Sequence, residues 1–167
     1  IVKFKPTPFL CGENMKPNFN QNYKGIRCRV CLIRENTSDE VIRINKPLDA
    51  YELVKDELVN SDREMLLSIM LTVKYDLIGV ETVSIGSVTA ANIAPRDVFK
   101  SPILANAVSI IVCHNHPSGE LVPSDEDIKI TKQLIAAGEL LGIKVLDHLI
   151  VSNQGYKSLR DYHEFPN

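Results

Sequence analysis

One stretch constrains this chain more than any other: His114-Asn115-His116-Pro117-Ser118-Gly119, followed by Ser124 and Asp127. The run before it, Val108-Ser-Ile-Ile-Val-Cys113, is apolar and rich in β-branched residues, which predicts a short buried strand. Residues two apart in a strand point to one face, so His114 and His116 converge at its carboxyl end. A helix opens near Ser124 and places Asp127 in its first turn. Strand end and helix start together supply two imidazoles and a carboxylate, all good zinc ligands. They leave a fourth coordination position open, as catalytic zinc sites do.

The rest of the chain reads around that unit. Residues 1–22 are rich in Pro, Asn and Lys without periodicity and are expected to form an irregular arm, followed by a single domain over 23–167. Tyr23 to Ile33 predicts a strand, Glu35 to Asp39 a turn, and Val41 to Ile44 its hairpin partner. Leu48, Tyr51, Leu53, Val54, Leu58 and Val59 are spaced for an amphipathic helix over 47–59, which Asn60-Ser-Asp62 ends. Glu64 to Val73 is too continuously apolar for a surface helix and predicts a central strand. Lys74 to Asp76 turns into a further strand over 77–88. Pro95 opens a helix that Pro102 disturbs. Ser124 to Leu141 is the best helix, with Ile128, Thr131, Leu134, Ile135, Leu140 and Leu141 as its buried stripe and Gly142 as its cap. Ile143 to Val151 returns as a strand. This order is α+β or α/β, with helices packed on one sheet.

Bulk properties exclude several classes. The chain has 167 residues, 44% hydrophobic and 24% charged, which suits one globular, soluble domain with a real core. Nineteen Lys and Arg against 21 Asp and Glu give a net charge of -2, which offers no electrostatic support for a nucleic-acid partner. No apolar run approaches the roughly 20 residues that would span a membrane, and no signal-peptide order opens the chain. Four scattered cysteines, Cys11, Cys28, Cys31 and Cys113, favour a reducing compartment and hence a cytoplasmic protein. Cys28 and Cys31 form a single C-x-x-C. In an extended strand they face opposite sides, which favours ordinary strand cysteines over a metal or redox pair.

The bland readings of the motif are specific. Ser124 and Asp127 also make a capping box, and a lone histidine at a strand end is usually a satisfied polar residue. The pair of histidines, followed by Pro and Gly on a buried strand, is harder to dismiss. Other zinc chemistries fail on spacing. A zinc deaminase needs His-x-Glu with a downstream Pro-Cys-x-x-Cys, but position 116 is His and the C-x-x-C lies upstream. A zincin needs His-Glu-x-x-His on a helix. A zinc finger needs its histidines close behind the C-x-x-C.

His114-x-His116, seven residues, Ser124, two residues, Asp127 resembles the JAB/JAMM (MPN-type) metalloprotease signature. More closely, His114-Asn-His-Pro-Ser-Gly119 with Pro123-Ser-Asp-Glu-Asp127 resembles the RadC family. Pro95-Arg-Asp-Val-Phe99, Leu140-Leu-Gly-Ile143 and Asp147-His-Leu-Ile150 extend the likeness over about residues 45–160. It implies an α+β, sandwich-like JAB/MPN-type fold, a mixed sheet flanked by helices with a cytidine-deaminase-like layout. RadC proteins usually begin with a small helical module of DNA-binding type; residues 1–22 depart from that pattern.

The resemblance carries over His114, His116 and Asp127 as zinc ligands, with an upstream glutamate as base. Glu64, at the start of the strand after the first helix, is preferred, and Glu81 is second. Ser124 is a candidate oxyanion donor or a pure N-cap. Asn115, Pro117 and Ser118 are expected to shape the loop. Asp147 and His148 either orient a ligand imidazole or end a strand with a local ion pair. Cys113 should point away into the core. The implied activity is zinc-dependent hydrolysis of a peptide or isopeptide-like amide, with an unidentified protein or peptide as substrate. The alternative is a non-catalytic scaffold module tied to the DNA-repair role traditionally attached to RadC proteins. A dimer would form through a strand edge or the arm.

Overall fold

Pro47 presets the first helical φ, and Asp49 Oδ2 accepts the amides of Asn45 and Lys46 at 2.9 and 3.1 Å. These signals start α1, Pro47–Val59, and Asn60 caps it. The structure, a computed structural model, describes residue 32, residues 40–86 and residues 93–162. The chain divides into a unit over Ile1–Arg34 and a second over Glu35–Asn167, and every element below lies in the second. The expected arm, the strand over 23–33 with its turn, and Cys11, Cys28 and Cys31 lie outside the described residues.

After α1 come β1 (Met65–Leu71), β2 (Leu77–Ile85), α2 (Pro95–Leu104), β3 (Ser109–Asn115), α3 (Asp125–Leu141), β4 (Lys144–Ser152), β5 (Gly155–Ser158) and a 3-10 turn, Arg160–Tyr162. The strands form one mixed sheet in the order β2-β1-β3-β4-β5. Only β3 and β4 run parallel, joined across the sheet by α3. This is an α+β fold consistent with the JAB/MPN type.

Strand parity divides the core. Leu66 and Met70 of β1 and Ile110 and Val112 of β3 face α2 and α3, where Val98, Phe99, Ile130 and Leu134 meet them. Leu67, Ile69 and Leu71 with Ile111 and Cys113 face α1, against Ala50, Val54 and Leu58. Both faces of β1 and β3 are covered, which is why these strands read as unbroken apolar runs rather than alternating ones. Gly138 lets α3 return tightly to β4: a Cβ there would sit 2.4 Å from the Ile143 carbonyl oxygen. No helix among the described residues is long and apolar enough to cross a membrane.

Two expectations, the strand over 41–44 and the buried stripe of α3, need correction. Val41–Ile44 is not a strand: among the described residues its pairing is a single antiparallel bridge, Arg43 to Asp76, flanked by the Ile44 amide on the Tyr75 carbonyl and the Leu77 amide on the Ile42 carbonyl, before the chain turns into α1 at Pro47. Pro102 disturbs α2 only near its end. It sits in the last turn of α2, where its missing N–H removes one bond, and Ala107 donates to its carbonyl. Leu140 and Leu141 are exposed, at 90% and 47%. The buried stripe of α3 is Asp127, Ile130, Thr131, Leu134 and Gly138, so Ile128 and Ile135 lie only half-buried at its margins. Finally, β5 was not foreseen; it pairs antiparallel with β4.

Candidate metal centre

Parity along β3 sends Cys113 to the α1 face and His114 to the α3 face. His116 lies just past the strand, its amide donating to the Val151 carbonyl of β4 at 2.9 Å. Asp127 arrives from the start of α3. Ser124 is the N-cap: its hydroxyl accepts the Asp127 amide at 3.2 Å and donates to Asp127 Oδ2 at 2.7 Å. The Ser124 amide also donates to Oδ2 at 2.7 Å. This capping box does more than start a helix, because it fixes the carboxylate against the histidines.

The three side chains converge. His114 Nε2 lies 2.9 Å from His116 Nε2 and 3.1 Å from Asp127 Oδ1, and His116 Nε2 lies 3.4 Å from Asp127 Oδ2. The two histidines approach different oxygens of Asp127, and with one donor atom from each side chain the three fall within 4.8 Å of one another. His114 and Asp127 are buried, while the His116 side chain is 14% exposed and marks the open side. This group could hold a metal ion.

Hydrogen bonds behind the site set both imidazole tautomers. The Thr131 hydroxyl donates its single proton to the Asp127 carbonyl at 2.6 Å. It must therefore accept from His148 Nδ1, 2.5 Å away. His148 Nε2 is then an acceptor and takes the Nδ1 proton of His114 at 2.7 Å. His148 is neutral: burial, then the neighbouring His114 charge, pushes it well below the ordinary histidine range, although Asp127 pulls the other way. His116 Nδ1 donates to the Glu120 carbonyl at 3.0 Å. Both ligand candidates thus turn an unprotonated Nε2 toward the shared space when neutral.

Without metal, charge takes the ligand's place. Burial opposes ionisation of Asp127, but hydrogen bonds from His114, His116 and Ser124 and the His114 charge hold it well below the usual carboxylate range. The hydrogen bond to Asp127 raises His116 above its ordinary value of 6.5, burial opposing, with the Asp127 charge, the Glu120 carbonyl and the Glu64 charge adding to the rise. A raised His116 stabilises the fold fully below its unfolded value and loses this as pH rises through its folded value. A lowered Asp127 contributes above about pH 4 and loses this as pH falls. The metal-free chain should therefore exceed His116→Gln in thermal stability most clearly between about pH 4 and 6.5. A stability difference that grows above pH 7 would reverse the sign and refute this.

The structure sorts the remaining candidates. Leu66 pairs with His114 at the end of the β1–β3 ladder, and Glu64, just before β1, lies near enough for its charge to raise His116. Glu81 pairs with Ser68, which pairs with Val112, so Glu81 lies one strand further away and two residues short of His114. His148 touches His114, whereas Asp147 does not. Asp147 Oδ1 accepts the amides of His148 and Arg160, and Oδ2 accepts the Ser158 hydroxyl at 2.6 Å, tying β4 to β5 and the 3-10 turn. Thr131 was read only as core. Its signal was the i, i+4 spacing from Asp127.

A mixed sheet with this donor set at the end of its central strand defines a JAB-type domain. The RadC-like JAB domain model matches residues 44–164, and the chain belongs to that family. It is 44% identical over 118 residues to a UPF0758 protein of Moorella thermoacetica, covering 71% of this chain and 52% of that one. It is 46% identical over 123 residues to a UPF0758 protein of Chloroflexus aurantiacus, covering 74% and 54%. The chain spans about half the length of the curated relatives it matches.

Proposed function

We propose that this domain is a zinc-dependent metallohydrolase of the JAMM type that cleaves a peptide or isopeptide-like amide. One observation carries the reading: two imidazoles, each offering an unprotonated Nε2, and the Asp127 carboxylate converge with one donor atom from each within 4.8 Å of the others. His114, His116 and Asp127 would hold the ion. When bound, zinc supplies a Lewis acid for the carbonyl and a water acidified to a pKa of about 7. Glu64, whose charge reaches His116, accepts the water proton and passes it to the leaving amine. Ser124 donates to the developing oxyanion; to do so its hydroxyl must turn from Asp127 Oδ2, which keeps the Ser124 amide.

The substrate on this reading is a protein or peptide segment that reaches the ion from the exposed side of His116. The balanced charge gives a duplex no electrostatic foothold. The buried free thiol of Cys113 suits a reducing, cytoplasmic setting.

Elemental analysis tests the metal part and an amide-substrate screen the chemistry. Zinc at about one per chain should vanish on chelation, taking amidase activity with it, and both should return on adding zinc back. No bound metal after zinc is supplied at neutral pH would leave a capped helix beside two ordinary histidines, and the scaffold reading would lead.

A further inference from the structure

Asn115 stands between the two histidines and is 2% exposed. Its side chain reaches across to the segment that precedes β1. The Met65 amide donates to Asn115 Oδ1 at 2.7 Å, and Asn115 Nδ2 donates to the Arg63 carbonyl at 3.0 Å. The two bonds grip the backbone on both flanks of Glu64, 50 and 52 residues away in sequence. The Glu64 carbonyl itself accepts the Gly86 amide at 2.8 Å. Asparagine suits the place because its short amide offers a donor and an acceptor at once. Alanine offers neither, and aspartate keeps only the acceptor.

We propose that Asn115 is a positioning residue that fixes Glu64 over the His114–His116 pair. The inference rests on the reading of Glu64 as the base. Its logic is geometric: one run of three residues carries two ligand histidines and the clamp on the glutamate, so ligands and base share one rigid reference. Misplacing a catalytic group by about 1 Å costs on the order of 100-fold in rate.

In the zinc-loaded chain, Asn115→Ala should lower kcat by about 10–100-fold with KM and zinc content unchanged. In a Glu64→Gln background it should cost nothing further, because the group it positions is gone; a general structural defect would add its own loss. A second readout needs no turnover. In the cobalt-loaded chain with 13C-labelled glutamate, the Glu64 carboxyl signal, identified by its absence in Glu64→Gln, should lose at least half its paramagnetic shift in Asn115→Ala. Asn115→Asp, of nearly equal volume, should lie between the two and carries the test if the alanine variant does not fold.

An undiminished shift and kcat in Asn115→Ala would overturn the inference and leave Glu64 as the base. A lost shift, with Glu64→Gln harmless to hydrolysis, upholds the positioning and sinks the base. A chain that takes up no cobalt overturns both.

Discussion

Glu64→Gln will keep about one zinc per chain and lose about 10²–10⁴-fold in kcat, the usual worth of a positioned general base. The substitution preserves shape and removes only the capacity to take a proton. It leaves in place the Arg63, Met65 and Gly86 contacts around this residue, which are made by backbone groups and Asn115. Glu81→Gln is the control: one strand further from the histidines, it should change kcat less than twofold on the same assay. If Glu81→Gln abolishes hydrolysis and Glu64→Gln does not, the roles are exchanged. Full activity in both would remove a carboxylate base from this chemistry.

Replacing Asp127 separates two functions of one carboxylate. Oδ1 faces His114, while Oδ2 closes the capping box with Ser124 and also lies 3.4 Å from His116. Asp127→Ala should lose zinc binding and, measured without metal, on the order of 1 kcal/mol of stability from the broken cap. Asp127→Asn should keep most of that stability, since its amide oxygen can still accept from Ser124. It should nevertheless weaken zinc by more than the roughly 10–100-fold that a change behind the ligands costs. Titration of zinc against a competing chelator, paired with thermal melts, reads both. An Asp127→Ala chain that binds zinc as the parent does would show that the carboxylate only caps the helix.

Much of the architecture was legible because its determinants are local. Pro47 and Asn60, then Ser124 and Gly142, bracket two helices through capping chemistry that needs no knowledge of neighbours. The apolar runs of β1 and β3 announce strands covered on both faces. Local pattern fails where neighbours decide. Leu140 is apolar but, two residues past buried Gly138, stands across α3 from it and faces solvent, with Leu141 at the margin, and composition alone does not say which side of a helix end the sheet covers. β5 is four residues held by its pairing with β4 and by Asp147, a partner eleven residues before Ser158. The ligand candidates showed themselves because two share a strand end and the third opens the next helix. His148 stays open between two readings, Thr131 reads only as core and Asn115 only as a loop residue, because the partners that decide their roles come from other elements of the chain.

The tautomer relay has a mechanical consequence. Asp127 offers its side chain to the histidines and its backbone carbonyl to Thr131, whose hydroxyl leads through His148 back to His114. The circuit is a closed ring threaded through α3, β4 and β3. An ion held beside that ring would act as a latch: lifting the first turn of α3 would withdraw Asp127 from it.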